Sequence, residues 1–181
     1  MNGDFGRTVL GALPDSWVLG MACAGRLGHR GRTPGTLGAL VGLVVYLVLF
    51  FPLTLPGQVL LGIVLAFVAM VVCGEAERRL HKRDPDEVIL DQIVAQPLVF
   101  LGLPAGLIGT WWGGAALLLG FGLFRLFDWW QPFGIRRLRR LPDGQGMVGT
   151  ALAAALAACL VLHAALYGAQ AAGWLVLARG G

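Results

Sequence analysis

The sequence predicts an all-α integral membrane protein, a polytopic bundle of about four to five transmembrane helices that forms a single membrane domain over residues 1–181. Of its 181 residues, 57% are hydrophobic and only 13% are charged, which is too apolar for an ordinary soluble domain. The mean hydropathy of +0.74 indicates that lipid is the solvent. The net charge of +4 comes from short basic clusters between apolar runs, which is typical of loops beside a membrane. We therefore expect no nucleic acid partner.

The first two apolar runs predict a helical hairpin. An N-terminal segment over residues 1–33 is expected to be cytoplasmic, and an apolar run follows over 38–55. This run is close to the roughly 20 residues that a helix needs to cross about 30 Å of hydrocarbon. Pro56 and Gly57 predict a tight turn. The second helix is then expected over residues 58–80.

Three further helices are predicted over residues 88–104, 108–128 and 147–178. Pro97 lies inside the first of these and should kink or break it, because proline lacks the backbone N–H that an α-helix needs. The last helix carries small residues at helical spacing, which would allow close helix packing. These small residues are Ala151, Ala154, Ala155 and Ala158.

The positions of the basic residues predict the topology. If the helices alternate across the bilayer as two hairpins, the basic clusters fall on one side, and the positive-inside rule makes that side cytoplasmic. The odd fifth helix would place the C-terminus outside unless the chain turns back. The clusters comprise Arg26, Arg30 and Arg32 before the first helix, Arg78, Arg79, Lys82 and Arg83 after the second, and Arg136, Arg137, Arg139 and Arg140 after the fourth.

Two acidic residues in apolar surroundings are candidates for function, since such groups are costly near a membrane. Asp128 follows Arg125 by one helical turn, so a simple ion pair is the alternative to a functional role. Asp91 has Glu87 as its helical neighbour, and two such carboxylates repel unless a proton or a cation relieves them. The acidic stretch that begins at Asp84 could present oxygen ligands to Mg²⁺. The alternative is a solvated acidic turn.

The glycine-rich segment 28–38 is a second candidate region. Its glycines, including Gly35, stand beside Arg30, Arg32 and the hydroxyl of Thr36 at a predicted helix start. Backbone N–H groups and cations in this arrangement could bind a phosphate. A basic loop that touches anionic lipid headgroups is the alternative interpretation. The segment lacks the Gly-Lys-Ser/Thr ending of a Walker loop.

Taken in order, these stretches resemble the phosphatidylglycerophosphatase A family of bacterial membrane lipid phosphatases. The similarity extends from about residue 28 to 155. Each motif is short, but their shared order is specific. The matching positions are Pro34, Gly35, Thr36 and Gly38, then Asp84, Pro85 and the run Val88-Ile89-Leu90-Asp91, then Phe124-Arg125-Leu126-Phe127-Asp128 with Trp130, Pro132, Ile135 and Arg136, and finally Gly144 and Gly146.

The resemblance implies a magnesium-dependent hydrolase that removes the terminal phosphate from phosphatidylglycerophosphate, an anionic phospholipid, at the cytoplasmic face of a bacterial inner membrane. Asp91 and Asp128 would be metal ligands or acid/base groups, with Asp84 as a further metal ligand. The resemblance also implies a set of residues that bind the substrate phosphate. This set contains Arg125, Arg136, Thr36 and Gly35.

The sequence departs from the family pattern at several acidic positions. The glutamate of the family's Asp-Glu pair is Gln92, a family lysine is Gln131, and an expected acid is Arg139. An Asp-Asp pair is replaced by Thr150 and Ala151. A glutamine cannot supply the charge of a carboxylate or act as a base. A second hypothesis is therefore a catalytically inactive relative that binds anionic phospholipid or a membrane partner.

Overall fold

A computed structural model describes residues 10–11, 13–25, 27–28, 33–132, 134–142 and 144–173. Across these residues the regular secondary structure is entirely helical, which confirms the all-α prediction. Two of the helices, Leu55–Arg79 and Gln145–Ala171, are long and apolar enough to cross a membrane, and a shorter apolar helix covers Pro34–Phe50. The protein is therefore a helical membrane protein.

The helices are numbered here in chain order. Two of them change their hydrogen-bonding pattern near the C-terminal end, one to a π-helix and the other to a 3₁₀-helix. The elements are α1 Asp15–Ala22, α2 Pro34–Val45 continued by the π-helix Tyr46–Phe50, α3 Leu55–Arg79, α4 Leu90–Ala95 continued by the 3₁₀-helix Gln96–Phe100, α5 Ala105–Ile108, α6 Trp111–Trp130, the 3₁₀-helix Ile135–Arg140, and α7 Gln145–Ala171.

The structure divides the helix that was expected over residues 88–104. Helix α4 has only six residues, and Pro97 lies in the 3₁₀-helix that follows. The predicted break at Pro97 is confirmed, because proline cannot donate the hydrogen bond of an α-helix. A second short helix, α5, begins after Pro104. The predicted segment 88–104 therefore contains a short α-helix and a 3₁₀-helix, and its helical residues begin at Leu90 and end at Phe100.

The boundaries of the first hairpin also differ from the prediction. Helix α2 begins at Pro34 rather than at residue 38. Pro56, which was expected in the turn, lies in the first turn of α3. Proline is well tolerated there because the N–H groups of the first turn have no partner within the helix. Each helix of the hairpin therefore carries a proline in its first turn.

The two ends of the described chain hold further differences. Helix α1 lies within the segment 1–33, for which the sequence predicted no helix. At the other end α7 stops at Ala171, short of the expected residue 178. Gly173 has a φ of +76°, a left-handed conformation that terminates helices and that glycine adopts without a Cβ penalty. Residues 174–178 lie outside the described part of the chain.

Small residues bring the helices into close contact. A Cβ atom at Gly38 would lie 3.0 Å from Cβ of Gln92, and one at Gly42 would lie 2.7 Å from Cβ of Gln96. Helix α2 can therefore pack against α4 only because these positions are glycine. On α7 the predicted stripe of small residues is buried, which confirms the expected close packing. The stripe consists of Ala151, Ala154, Ala155 and Ala158.

The outer faces of the long helices are apolar, as expected for contact with lipid. Two exposed tryptophans, Trp111 and Trp129, lie at opposite ends of α6. A helix of 20 residues is about 30 Å long, so these indoles are separated by about the thickness of the hydrocarbon layer. The exposed apolar side chains include Leu60, Ile63 and Phe67 on α3, Leu118 on α6 and Leu160 on α7.

Candidate active site

A cavity of about 620 Å³ lies where several helices start or end. The starts of α2, α4 and α7, the end of α6 and the segment 84–88 all contribute to its wall. Sites for small ligands typically enclose roughly 300 to 1,000 Å³. The cavity is therefore large enough to enclose a small polar molecule or the headgroup of a lipid.

A hydrogen-bonded network on one wall joins α4 to α6. The side-chain amide of Gln92 donates from Nε2 to Oδ2 of Asp91 at 3.0 Å and to Oδ1 of Asp128 at 3.3 Å. Arg125 donates from Nη1 to Oε1 of Gln92 at 3.1 Å and to Oδ2 of Asp128 at 3.0 Å. The ion pair expected between Arg125 and Asp128 is thus present, but it belongs to a larger network. Two carboxylates and one guanidinium meet around a neutral amide.

Asp91 is the most deeply buried acid of this network. It is 5% exposed, and its Oδ1 atom has no hydrogen-bond partner among the described residues. Burial of a carboxylate without a full set of donors or a cation is costly. Such a group is a candidate to bind a cation, to hold a proton or to contact a substrate.

Asp84 faces the same cavity from the segment between α3 and α4. Its Oδ2 lies 3.0 Å from Nη2 of Arg139, and its φ of +50° places its backbone in the left-handed region. Burial raises the pKa of the Asp84 carboxyl above its ordinary value, while the neighbouring Arg139 acts in the opposite direction. Asp84 therefore pairs with a cation at the cavity while its side chain stays partly exposed.

Glu77, which the sequence analysis did not single out, fixes two segments beside the cavity. It accepts a hydrogen bond from the backbone N–H of Asp84 at 2.9 Å and another from that of Gly144 at 3.0 Å. A Cβ at Gly144 would lie 2.6 Å from the carbonyl oxygen of Met70, so glycine is required for this approach. The sequence offered little signal for Glu77, since an acid among arginines at a helix end is typical of a solvated surface.

The structure brings together some, but not all, of the residues predicted to bind phosphate. Gly35 lines the cavity, and a Cβ there would lie 3.2 Å from Nη1 of Arg125. Thr36 lies in the first turn of α2 but is not among the described residues that line the cavity. Arg136 is exposed and also lies outside this lining, whereas Arg139 belongs to it. The predicted phosphate ligands of the loop, at residues 30 and 32, lie outside the described residues.

Comparison with known sequences identifies the family. A sequence model of Phosphatidylglycerophosphatase A matches residues 20–166, which is most of the chain. The protein belongs to the phosphatidylglycerophosphatase A family. The resemblance inferred from the short motifs is therefore confirmed.

Three curated relatives show how far the similarity extends. A Bacteroides thetaiotaomicron protein, named provisionally as a phosphatidylinositol-3-phosphatase, is 29% identical over 64% of this chain and 72% of its own length. The Phosphatidylglycerophosphatase A of Escherichia coli is 29% identical over 64% of this chain and 63% of its own length. That of Haemophilus influenzae is 27% identical over 74% and 79%. No solved structure matches the chain.

Of the five residues at which the sequence departs from the expected family pattern, three lie at the cavity and two, Gln131 and Ala151, are not among the described residues that line it. Gln92, Arg139 and Thr150 all line it. The Thr150 hydroxyl donates to the backbone carbonyl of Gly146 at 2.6 Å, so it is already engaged within its own helix. Ala151 is buried in the helix-packing core instead. At these three positions the cavity is lined by an amide, a guanidinium and a hydroxyl group, and by no carboxylate.

The carboxylates that remain offer a small set of possible metal ligands. Among the described residues, no three histidine, cysteine, aspartate or glutamate side chains are grouped as a closed metal site. Asp91 and Asp128 nevertheless approach the same amide nitrogen of Gln92, and Asp91 retains an oxygen without a partner. Mg²⁺ usually takes one or two carboxylates together with water and substrate phosphate. The open oxygen of Asp91 fits this mode of binding, in which one carboxylate suffices, whereas both oxygens of Asp128 already accept hydrogen bonds from Gln92 and Arg125.

Proposed function

We propose that this member of the phosphatidylglycerophosphatase A family hydrolyses phosphatidylglycerophosphate to phosphatidylglycerol and inorganic phosphate. The observation that carries the proposal is the convergence of Asp91, Asp128 and Arg125 on one cavity at the helix ends. The carboxylates can transfer protons or bind a cation, and the guanidinium beside them can neutralise the phosphate. Together these groups can support cleavage of a phosphate monoester.

The reaction requires water to add to phosphorus while the ester P–O bond breaks. Arg125 would bind the non-bridging phosphate oxygens, on which negative charge is concentrated. One carboxylate of the Asp91 and Asp128 pair would accept the proton of the attacking water. The departing glycerol oxygen takes up a proton, so the products are phosphatidylglycerol and inorganic phosphate.

We propose Mg²⁺ as the cofactor, with Asp91 and Asp128 as ligands and Asp84 as a third candidate. When bound, the ion would offset the negative charge of the phosphate. The ion pair between Asp84 and Arg139 makes Asp84 the weakest of these three candidates. To bind Mg²⁺, the carboxylate of Asp84 would have to release the guanidinium of Arg139.

The proposed place of action is the cytoplasmic face of a bacterial inner membrane. The basic clusters after α3 and α6 occupy the same end of the molecule as the cavity. The positive-inside rule supports the cytoplasmic side for this end. The exposed Trp129 at the end of α6 would mark the level of the lipid headgroups.

Two of the three relatives support phosphatidylglycerophosphate as the substrate through their names. The third is named for a phosphoinositide. Both substrates carry a phosphate monoester on a polyol that is joined to diacylglycerol through a phosphodiester. The proposal is therefore specific for this headgroup chemistry and, within it, favours phosphatidylglycerophosphate.

The alternative function is an inactive relative that binds anionic phospholipid. The observation that favours it is the position of the Gln92 amide, which donates to both carboxylates and so occupies the place where a cation would join them. A neutral bridge of this kind satisfies part of their hydrogen-bonding capacity without any metal.

Phosphate release by the purified protein in detergent separates the two functions. With phosphatidylglycerophosphate and Mg²⁺ we expect release that chelation abolishes and that Asp91→Asn lowers by roughly a hundredfold or more, the size typical of a lost acid/base group. The alternative predicts no release from folded wild-type protein, together with retained binding to vesicles that contain phosphatidylglycerol.

A further inference from the structure

The two arginines of the cavity are held in different ways. The Arg125 side chain is 28% exposed and is engaged by Asp128 and Gln92. The Arg139 side chain is 52% exposed and pairs with Asp84, which is itself 37% exposed. The Arg125 guanidinium therefore belongs to the hydrogen-bonded network of Asp91, Gln92 and Asp128. The Arg139 guanidinium is more accessible from the cavity.

We propose that Arg139 binds the second phosphate of the substrate, the phosphodiester that is not cleaved, while Arg125 faces the monoester that is. This inference rests on the proposed phosphatase function. Phosphatidylglycerophosphate carries one phosphodiester and one phosphomonoester, separated by a glycerol. Arg125 on α6 and Arg139 on the 3₁₀-helix Ile135–Arg140 both line this cavity, which provides one cation for each of the two anionic groups.

The backbone around Arg139 supports this role because it is fixed against the start of α7. A Cβ at Gly146 would lie 2.9 Å from the carbonyl oxygen of Arg139 and 2.7 Å from that of Leu141. The absence of a side chain at Gly146 thus lets the 3₁₀-helix Ile135–Arg140 approach α7 closely. The start of a long helix carries a partial positive charge that favours an anion. Arg139 is held beside this favourable end.

The carboxylate of Asp84, which pairs with Arg139, can be replaced by a phosphate. Both side chains of the pair are partly exposed, and ion pairs of this kind contribute little stability, because water screens them. A phosphodiester would accept hydrogen bonds from the planar guanidinium with at least equal geometry. The hydrogen bond from the Asp84 backbone to Glu77 would keep the segment in place after the exchange.

Inhibition by the two reaction products tests this assignment, because each product keeps one of the two phosphates. Short-chain phosphatidylglycerol retains the phosphodiester, and inorganic phosphate represents the monoester. For Arg139→Ala we expect the KM for phosphatidylglycerophosphate and the Ki for phosphatidylglycerol to rise together by roughly tenfold to a hundredfold, as for a lost charge-assisted hydrogen bond. The ratio of the Ki for phosphatidylglycerol to the Ki for phosphate should rise with them.

Two further variants keep the test decisive. Arg139→Lys retains the charge and should recover part of the affinity for phosphatidylglycerol, and it replaces the alanine variant if that one fails to fold. Arg137→Ala removes an exposed cation of the same 3₁₀-helix that is not among the described residues lining the cavity, so it should leave the ratio unchanged.

The outcomes are distinct for the inference and for the proposed function. A rise in the Ki for phosphate that equals or exceeds the rise for phosphatidylglycerol would place Arg139 at the reacting phosphate and overturn the inference. An unchanged ratio in Arg139→Ala would overturn it as well. Absence of turnover by the folded wild-type protein would instead contradict the phosphatase function on which the inference rests.

Discussion

Oε2 of Glu77 lies 3.0 Å from the backbone nitrogen of Gly144, although the two residues are 67 positions apart in the chain. The other oxygen of the same carboxylate accepts the backbone N–H of Asp84. A single side chain at the end of α3 therefore ties the segment 84–88, which lines the cavity, to the residue that precedes α7.

Replacing Glu77 by alanine should lower both stability and activity. Each lost hydrogen bond to a charged group contributes about 1.5 to 3 kcal/mol, and both segments would lose their anchor at once. Glu77→Gln keeps an oxygen acceptor and should retain part of the activity. Thermal unfolding in detergent and kcat/KM measure the two effects.

A matched control for Glu77 lies two residues earlier. Glu75 pairs with the side chains of Arg78 and Arg79, away from the cavity. Glu75→Ala should therefore reduce stability with little change in kcat/KM. Equal losses of activity in the two alanine variants would contradict a positioning role for Glu77.

Exchange of Gln92 for glutamate should change the response of the protein to Mg²⁺. The variant loses the amide donor that joins Asp91 and Asp128 and gains a third carboxylate, so like charges repel when no cation is present. We expect a lower melting temperature with chelator and a larger rise on addition of Mg²⁺ than in the wild type. The Mg²⁺ concentration for half-maximal activity should fall on the order of tenfold, as for other residues that adjust metal ligands.

Calcium at the same ionic strength is the control for general screening in this comparison. Mg²⁺ demands a near-ideal octahedral geometry with short bonds, whereas Ca²⁺ does not. Identical melting curves for Gln92→Glu and the wild type in chelator would show that Gln92 does not join the two carboxylates.

Asp91→Asn should raise the stability of the protein while it removes activity. The wild-type carboxylate is buried and has an oxygen without a partner among the described residues, so an uncharged amide of the same shape removes a desolvation cost. Functional sites often carry such a cost. A higher melting temperature in detergent, measured without added metal, is the expected result.

Asp128→Asn is the contrasting variant, because it breaks the ion pair with Arg125 and should lower the melting temperature. A shift of the melting temperature in the same direction for both asparagine variants would contradict this explanation. Burial of an oxygen without a hydrogen-bond partner would then not distinguish Asp91 from Asp128.

Gly42→Ala should destabilise the contact between α2 and α4. The added Cβ would lie 2.7 Å from Cβ of Gln96, closer than side chains tolerate. Overpacking of this kind costs about 1 to 3 kcal/mol. Gly122→Ala in α6 is the control, since no atom lies within 4 Å of a Cβ there and alanine favours helix by about 0.5 to 1 kcal/mol. Opposite shifts of the melting temperature are expected, and a stabilised Gly42→Ala variant would contradict the close packing.

Hydropathy and proline placement predicted much of the fold, since both act locally along the chain. The runs that became α3 and α7 are apolar over enough residues to be recognised without a structure. The end of the α-helix near Pro97 was predictable because the missing N–H of a proline disrupts helical hydrogen bonding at that residue. The length of α4 could not be predicted in the same way, because the 3₁₀-helix after it depends on packing against α2 and α7.

The candidate site was predictable only in part. Asp91, Asp128 and Arg125 stood out because charge in apolar sequence is rare, and the structure brings them together. The family resemblance pointed to Arg136, but Arg139 lines the cavity instead. Four arginines in a six-residue 3₁₀-helix have the same composition signal, so tertiary packing decides which one faces the cavity. The roles of all these residues stay predictions.

The position of the cavity at the helix ends, beside surfaces made for lipid, affects how the proposed enzyme would meet its substrate. The acyl chains could remain in the leaflet while the headgroup alone bends into the cavity, so no extraction from the bilayer would be needed. Encounter then takes place in two dimensions. The rate would follow the mole fraction of the phospholipid in the leaflet and would fall when an inert lipid dilutes that surface, even at a constant bulk concentration.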